Sequence, residues 1–210
     1  WKMKKLLAVC LMALVCWVCA GYAEETRVGD TVIFGQYEQD GNLDNGSEPI
    51  AWLVLDVQGG KALLMSRYAL DCLPFHDEKT DAAWNQSAFT DAEWAAIAPV
   101  TLADTAADGN PEWQNTDAEP AETHVFLLSY AQVMQYLPEQ EQRKVSGTEY
   151  ARSRGAKFLG FTTIGIGETD WWLRSPGKES YDACFLDVRG AVGTKCVTEK
   201  LGVRPALWLD

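Results

Sequence analysis

An α+β fold built mainly on antiparallel strands is predicted by three observations. Short β-rich runs end at glycine turns, capping boxes announce two short helices, and the last 40 residues alternate strand-like runs with tight turns.

Residues 1–23 stand apart from that fold. Lys2, Lys4 and Lys5 form a basic start, Leu6 to Ala20 carries no charged side chain, and Gly21-Tyr22-Ala23 offers small residues at the positions a signal peptidase reads. This pattern predicts a signal peptide cleaved after Ala23, and a chain secreted or held at the cell-envelope exterior. Cys10, Cys16 and Cys19 each follow a valine, which disfavours a lipoprotein anchor. Membrane contact would then come only through an uncleaved signal or a lipid anchor.

Removing residues 1–23 takes away three lysines and no acid, leaving 15 basic against 30 acidic side chains and a net charge of −15. Such a field repels phosphate backbones, so nucleic acid is not an expected partner. Residues 24–210 are read as one domain, with a long surface excursion near 99–122 that is rich in Asp, Asn, Ala, Thr and Pro.

Along that domain, Gly29 to Tyr37 reads as the first strand. Pro49 to Val57 and Lys61 to Ser66 flank Gln58-Gly59-Gly60 as a hairpin. Between these, Asp40 to Glu48 is rich in side-chain oxygen. An EF-hand needs glycine at its sixth position and glutamate at its twelfth, where Asn45 and Ala51 stand, so the loop is a solvated turn and no metal site is predicted. Ala82 to Phe89 reads as a helical lead-in. Thr90-Asp91-Ala92-Glu93 caps a helix through Ile97, Ser129 with Gln132 caps a second that stops before Pro138, and Thr148 to Arg154 is a third, ended by Gly155. His124 to Leu128 is a buried-type strand.

In the tail, Trp171 to Arg174 reads as a strand and Ser175-Pro176-Gly177 as a turn. Ala183 to Val188 and Val192 to Thr198 form a hairpin about Arg189-Gly190-Ala191, and Gly202 to Leu209 is the closing strand. A three-residue loop would set Cys184 opposite Cys196, within disulfide reach, and an exported chain permits that bond. Cys72 is left as a lone buried thiol. Trp171 and Trp172 must point to opposite faces, one into the core and the other under the helix layer. Arg174 and Arg204 are read as ties between loops, with Gly202 and Pro205 completing the second motif.

Taken in order, these stretches resemble a known family. Gly29-Asp30-x-Val32-x-Phe34-Gly35-x-Tyr37, Ile50-x-Trp52-Leu53-Val54-Leu55, Ala62 to Asp71, Val125 to Ser129, Trp171 to Gly177 and Gly202 to Leu207 match an uncharacterised bacterial domain common in secreted proteins. The resemblance implies a C-type-lectin-like fold, of the kind shared by formylglycine-generating enzymes and by the variable proteins of diversity-generating retroelements. It further implies that the first and last strands pair, with Thr31 to Gly35 near Val203 to Leu207. Relatives carry an Arg-x-Trp-Leu-Asn helix before the Ala-Phe-Thr stretch, whereas here Ala82 to Ser87 runs almost straight into Ala88-Phe89-Thr90.

Catalytic signatures are thin. The copper-binding cysteine pair of the formylglycine-generating enzymes would have to be Cys184 and Cys196, whose hairpin placement suits a structural bridge. His76, His124 and Cys72 stand at no zinc spacing, no Gly-x-Ser-x-Gly elbow or cofactor loop occurs, and the calcium-dependent sugar signatures are missing. The expectation is a recognition module without catalytic residues or cofactor, binding a protein or glycan. Tyr181, Asp182, Phe185, Asp187, Arg189 and Lys195 are its candidate contacts, since aromatic and arginine side chains dominate recognition hot spots. The alternatives are a structural or accessory envelope domain, or a remote enzyme of the formylglycine-generating type.

Overall fold

The computed structural model describes residues 26–75, 87–102, 108–113, 120–162 and 165–210. The expected signal peptide, His76 and residues 82–86 of the expected lead-in helix lie outside them.

The strands begin with β1 (Thr31–Tyr37), β2 (Glu48–Gln58), β3 (Lys61–Ser66) and β4 (Asp71–Pro74). Next come β5 (Ile97–Ala98), β6 (Val100–Leu102), β7 (Ala121–Thr123), β8 (Val125–Phe126), β9 (Phe158–Thr162) and β10 (Gly165–Thr169). The tail supplies β11 (Trp171–Pro176), β12 (Asp182–Leu186), β13 (Val192–Cys196), β14 (Lys200–Val203) and β15 (Ala206–Leu209). Three short helices, α1 (Asp91–Ala95), α2 (Tyr130–Tyr136) and α3 (Glu149–Ser153), fall where the capping residues put them. Thr90 with Glu93 and Ser129 with Gln132 make both reciprocal capping bonds. No helix among the described residues is long and apolar enough to cross a membrane.

Two sheets carry the domain. One runs β1-β2-β3-β15-β5, with β8 also paired to β15, and the other runs β13-β12-β11-β14-β4. Pairing is antiparallel except between β11 and β14, which meet in parallel at Trp171 and Gly202. Small ribbons, β9 with β10 and β6 with β7, complete the pattern.

Strand alternation sorts the core. Phe34, Trp52, Val54, Leu64 and Leu207 fill one face of the first sheet with Phe89, Leu70 and Val203. Its other face, through Leu63, Met65 and Ala206, meets Trp171, Leu173, Cys184 and Leu186 of the second sheet, with Val133 and Leu137 from the α2 segment. Beyond the second sheet lies a smaller cluster of Trp172, Ala183, Phe185 and Leu201.

Three expectations are corrected. The first and last strands share a sheet and Phe34 shares a core with Leu207, but β2 and β3 stand between β1 and β15. A ten-residue loop joins β1 to β2 and the Gly59-Gly60 turn joins β2 to β3, so the three strands form a meander whose β3 edge pairs with β15. The expected closing strand is two strands in two sheets: the chain crosses over at Arg204-Pro205, where proline has no N–H to continue a ladder. Ser175 and Pro176 extend β11 instead of turning. The surface excursion closes on itself through the β6–β7 ribbon, Val100 opposite Thr123, and its Asp108 docks on β11.

Candidate functional site

The two tryptophans of β11 are frame. Both are buried on opposite faces of the sheet, as the period of two requires. Trp171 Nε1 donates to the Arg143 carbonyl and Trp172 Nε1 to the Leu73 carbonyl, each at 2.9 Å. Neither indole is left for a ligand to stack on.

The arginines act as the expected ties. Arg174 Nη1 donates to Gln132 Oε1 at 2.5 Å and to the Leu127 carbonyl at 3.4 Å, with Asp108 Oδ1 3.7 Å from Nη2. Arg204 Nε donates to the Ser66 carbonyl at 2.8 Å, and its guanidinium lies 5.0 Å from the Trp171 ring centre. Ser66 N donates in turn to the Pro205 carbonyl at 2.8 Å. Gly202 N donates to the Asp170 carbonyl at 2.8 Å, and a Cβ at this glycine would stand 2.8 Å from that same oxygen. The second motif therefore needs glycine for close approach.

The hairpin differs from expectation in its loop. Asp187 to Ala191 form a five-residue connection, so Leu186 faces Val192, Cys184 faces Thr194 and Asp182 faces Cys196. That register separates the expected disulfide partners by two positions. Cys184 and Cys196 are free thiols, as is Cys72. Cys184 is buried between the sheets, where loss of solvent pushes its thiol up to about 12. Cys196 is half-buried, with Sγ 3.2 Å from Thr198 Oγ1.

The six candidate contacts do not form one surface. Phe185 is buried against Trp172 and Gly193, with Lys195 Nζ 4.7 Å above its ring. Lys195 is pinned by Asp170 Oδ2 at 2.7 Å. Asp187 Oδ1 accepts from Arg189 N and Ala191 N, both at 2.8 Å, and so serves its own loop. Tyr181 and Arg189 are exposed and Asp182 is half-buried. Tyr181 precedes β12 while Arg189 follows it, about 20 Å away at the rise of a strand. Arg189 therefore belongs to a different end of the sheet.

Tyr181 stands on an ordered turn. Gly177 N donates to the Asp182 carbonyl at 2.9 Å, Asp182 N to the Glu179 carbonyl at 3.0 Å and Val197 N to the Tyr181 carbonyl at 3.0 Å. Phe75 packs edge-on against Trp172 beneath, and Phe75 N donates to the Val197 carbonyl at 2.9 Å.

Sequence reasoning missed two polar centres. Asp170 holds Lys195 and the Val188 amide, the latter at 3.0 Å; its place directly before the first tryptophan was the available signal. Buried Asp71 accepts from Tyr37 Oη at 2.7 Å and Cys72 N at 2.6 Å, and pairs with Arg154 Nε at 3.3 Å. Burial, then the Asp71 charge, raises the Tyr37 phenol well above its usual range, and burial pushes the Cys72 thiol up to about 11. In the loop that fails the EF-hand spacing, oxygens of Glu38, Asp40 and Glu48 lie within 4.8 Å of one another. Those oxygens accept from the loop's own amides, including Gly41 N and Gln39 N at 2.7 Å each.

The molecule is thus defined as an α+β domain of mostly antiparallel sheets with few short helices, whose two terminal motifs brace the junction between sheets. The chain belongs to a family described as a domain of unknown function (DUF6273), which matches residues 59–210. No curated protein and no solved structure matches the sequence.

Proposed function

We propose that this chain is an exported recognition module of C-type-lectin-like architecture, acting without catalytic residues or cofactor at the cell-envelope exterior. The contact site of this module is the turn that carries Tyr181, and its ligand is a protein or a glycan. One observation carries the reading: Tyr181 is 60% exposed on a turn whose backbone is already hydrogen-bonded. An aromatic anchor on a pre-ordered turn offers a large contact area at low entropic cost. Asp182 adds a half-buried carboxylate beside it. Phe185, Lys195 and Asp187 support the platform and do not touch ligand.

The test is capture on glycan and peptide arrays by the purified protein and its Tyr181→Ala variant. Loss of a captured spot with unchanged melting temperature is the expected result. Equal capture by both proteins would sink the assignment, as would failure of the wild type to bind either class.

A further inference from the structure

The face of the first sheet that meets the second sheet has one bare corner. Thr31 and Ile33 of β1 stand opposite Leu53 and Ala51 of β2, and opposed residues of an antiparallel pair share a face. Ile33 is 56% exposed, while Leu53 packs only partly against the core. Arg67 closes this corner. Its amide donates to the Ala51 carbonyl at 2.8 Å and its Nη1 to Thr31 Oγ1 at 3.3 Å.

Two guanidiniums lie within electrostatic reach of each other here, with no carboxylate paired to either among the described residues. Arg67 is exposed and forms no ion pair among the described residues. Arg204 is only 4% exposed, is bonded through Nε to the carbonyl of Ser66, next to Arg67, and has an Nη1 that is buried without a hydrogen-bond partner. Burial pulls Arg204 down to about 9, and the charge of Arg67 acts in the same direction. A buried charge is costly unless a counter-charge offsets it. With 30 acidic residues in the chain, none of those described is placed to do so.

We infer that Arg67 and Arg204 form the anionic subsite of a second ligand site, which takes a carboxylate attached to an aliphatic group. Arg67 receives the carboxylate at the surface, and Arg204 supplies positive charge from behind it. The aliphatic part lies on Ile33 and Leu53. An uncompensated charge beneath the surface acts through low dielectric, so its attraction is strong at short range. The protein's overall negative field is screened beyond about 8 Å at physiological salt. This site is separate from the Tyr181 turn and does not depend on it.

N-acetyl-leucine presents the two required groups, and N-acetyl-leucinamide removes only the charge. In isothermal titration at pH 7 and constant ionic strength, the purified protein should bind N-acetyl-leucine at least tenfold more tightly than either the amide or acetate. Arg67→Gln and Ile33→Ser, both surface changes, should each weaken that binding, Arg67→Gln by about tenfold as for one lost charge-assisted contact. Arg204→Met, if it folds, should bind more weakly too. Equal affinity for acid and amide, undiminished binding by Arg67→Gln, or tighter binding of a uronic acid disaccharide would each overturn the assignment.

Discussion

At the scale of single residues, burial decides what each cysteine can do. Thiolate is the reactive form, and Cys184 is pushed up to about 12 and Cys72 to about 11 by loss of solvent. Cys196 lies half-buried on the outermost strand of its sheet. In folded protein lacking residues 1–23, a thiol reagent at pH 8 should therefore modify Cys196 first, and unfolding without reductant should reveal three thiols. A count of one would mean that Cys184 and Cys196 are bridged and that the hairpin register is different. The raised thiol of Cys184 also has a sign in stability. Its folded value lies above the ordinary 9.0, so its contribution is complete below that pH and is lost as pH rises toward about 12. Cys184→Ala should lack that part of the alkaline decline in unfolding free energy.

At the scale of elements, signals carried within a few residues were legible and those carried between strands were not. Thr90 with Glu93 and Ser129 with Gln132 fixed two helix starts, because a capping box closes within one turn. The Gly59-Gly60 hairpin was legible for the same reason, with positive φ at both glycines. The β12–β13 register depended on loop length, and there Asp187 stabilises five residues instead of three by accepting two amides. The same bonds took Asp187 out of the candidate contact surface, as Asp170 took Lys195 and the Trp172 ring took Phe185. Only Tyr181 and Arg189 kept the exposure expected of contacts, since neither has a partner that a linear sequence would conceal. Asp187→Ala should cost about 1 kcal/mol, the usual scale for losing a turn-capping acceptor. Urea unfolding checks it: the midpoint should fall with an unchanged m-value. A variant as stable as wild type would return Asp187 to the list of free surface carboxylates.

At the scale of the whole molecule, the family match and the folding unit do not coincide. The match begins at Gly59, inside the β2–β3 turn, yet β1 and β2 lie before it. Those two strands provide Phe34, Ile50, Trp52 and Val54 to one core and Leu55 to the other. They also bury Trp52 Nε1 against the Phe34 carbonyl at 2.7 Å. Without them β3 would become an edge and Leu64 would lose Val54, its partner across β2, an arrangement that invites association between chains. Each fully buried aliphatic or aromatic side chain contributes about 1.5–3 kcal/mol, so losing four from one cluster is comparable to the whole margin by which most domains of this size are folded. Fragment 24–210 should therefore unfold cooperatively on heating and give a strong near-ultraviolet circular dichroism signal from its packed tryptophans. Fragment 59–210 should show neither, and should elute as aggregate in size-exclusion chromatography. A monomeric 59–210 with a sharp melting transition would instead place the folding boundary at Gly59, and would make β1 and β2 an attachment whose removal the second sheet tolerates.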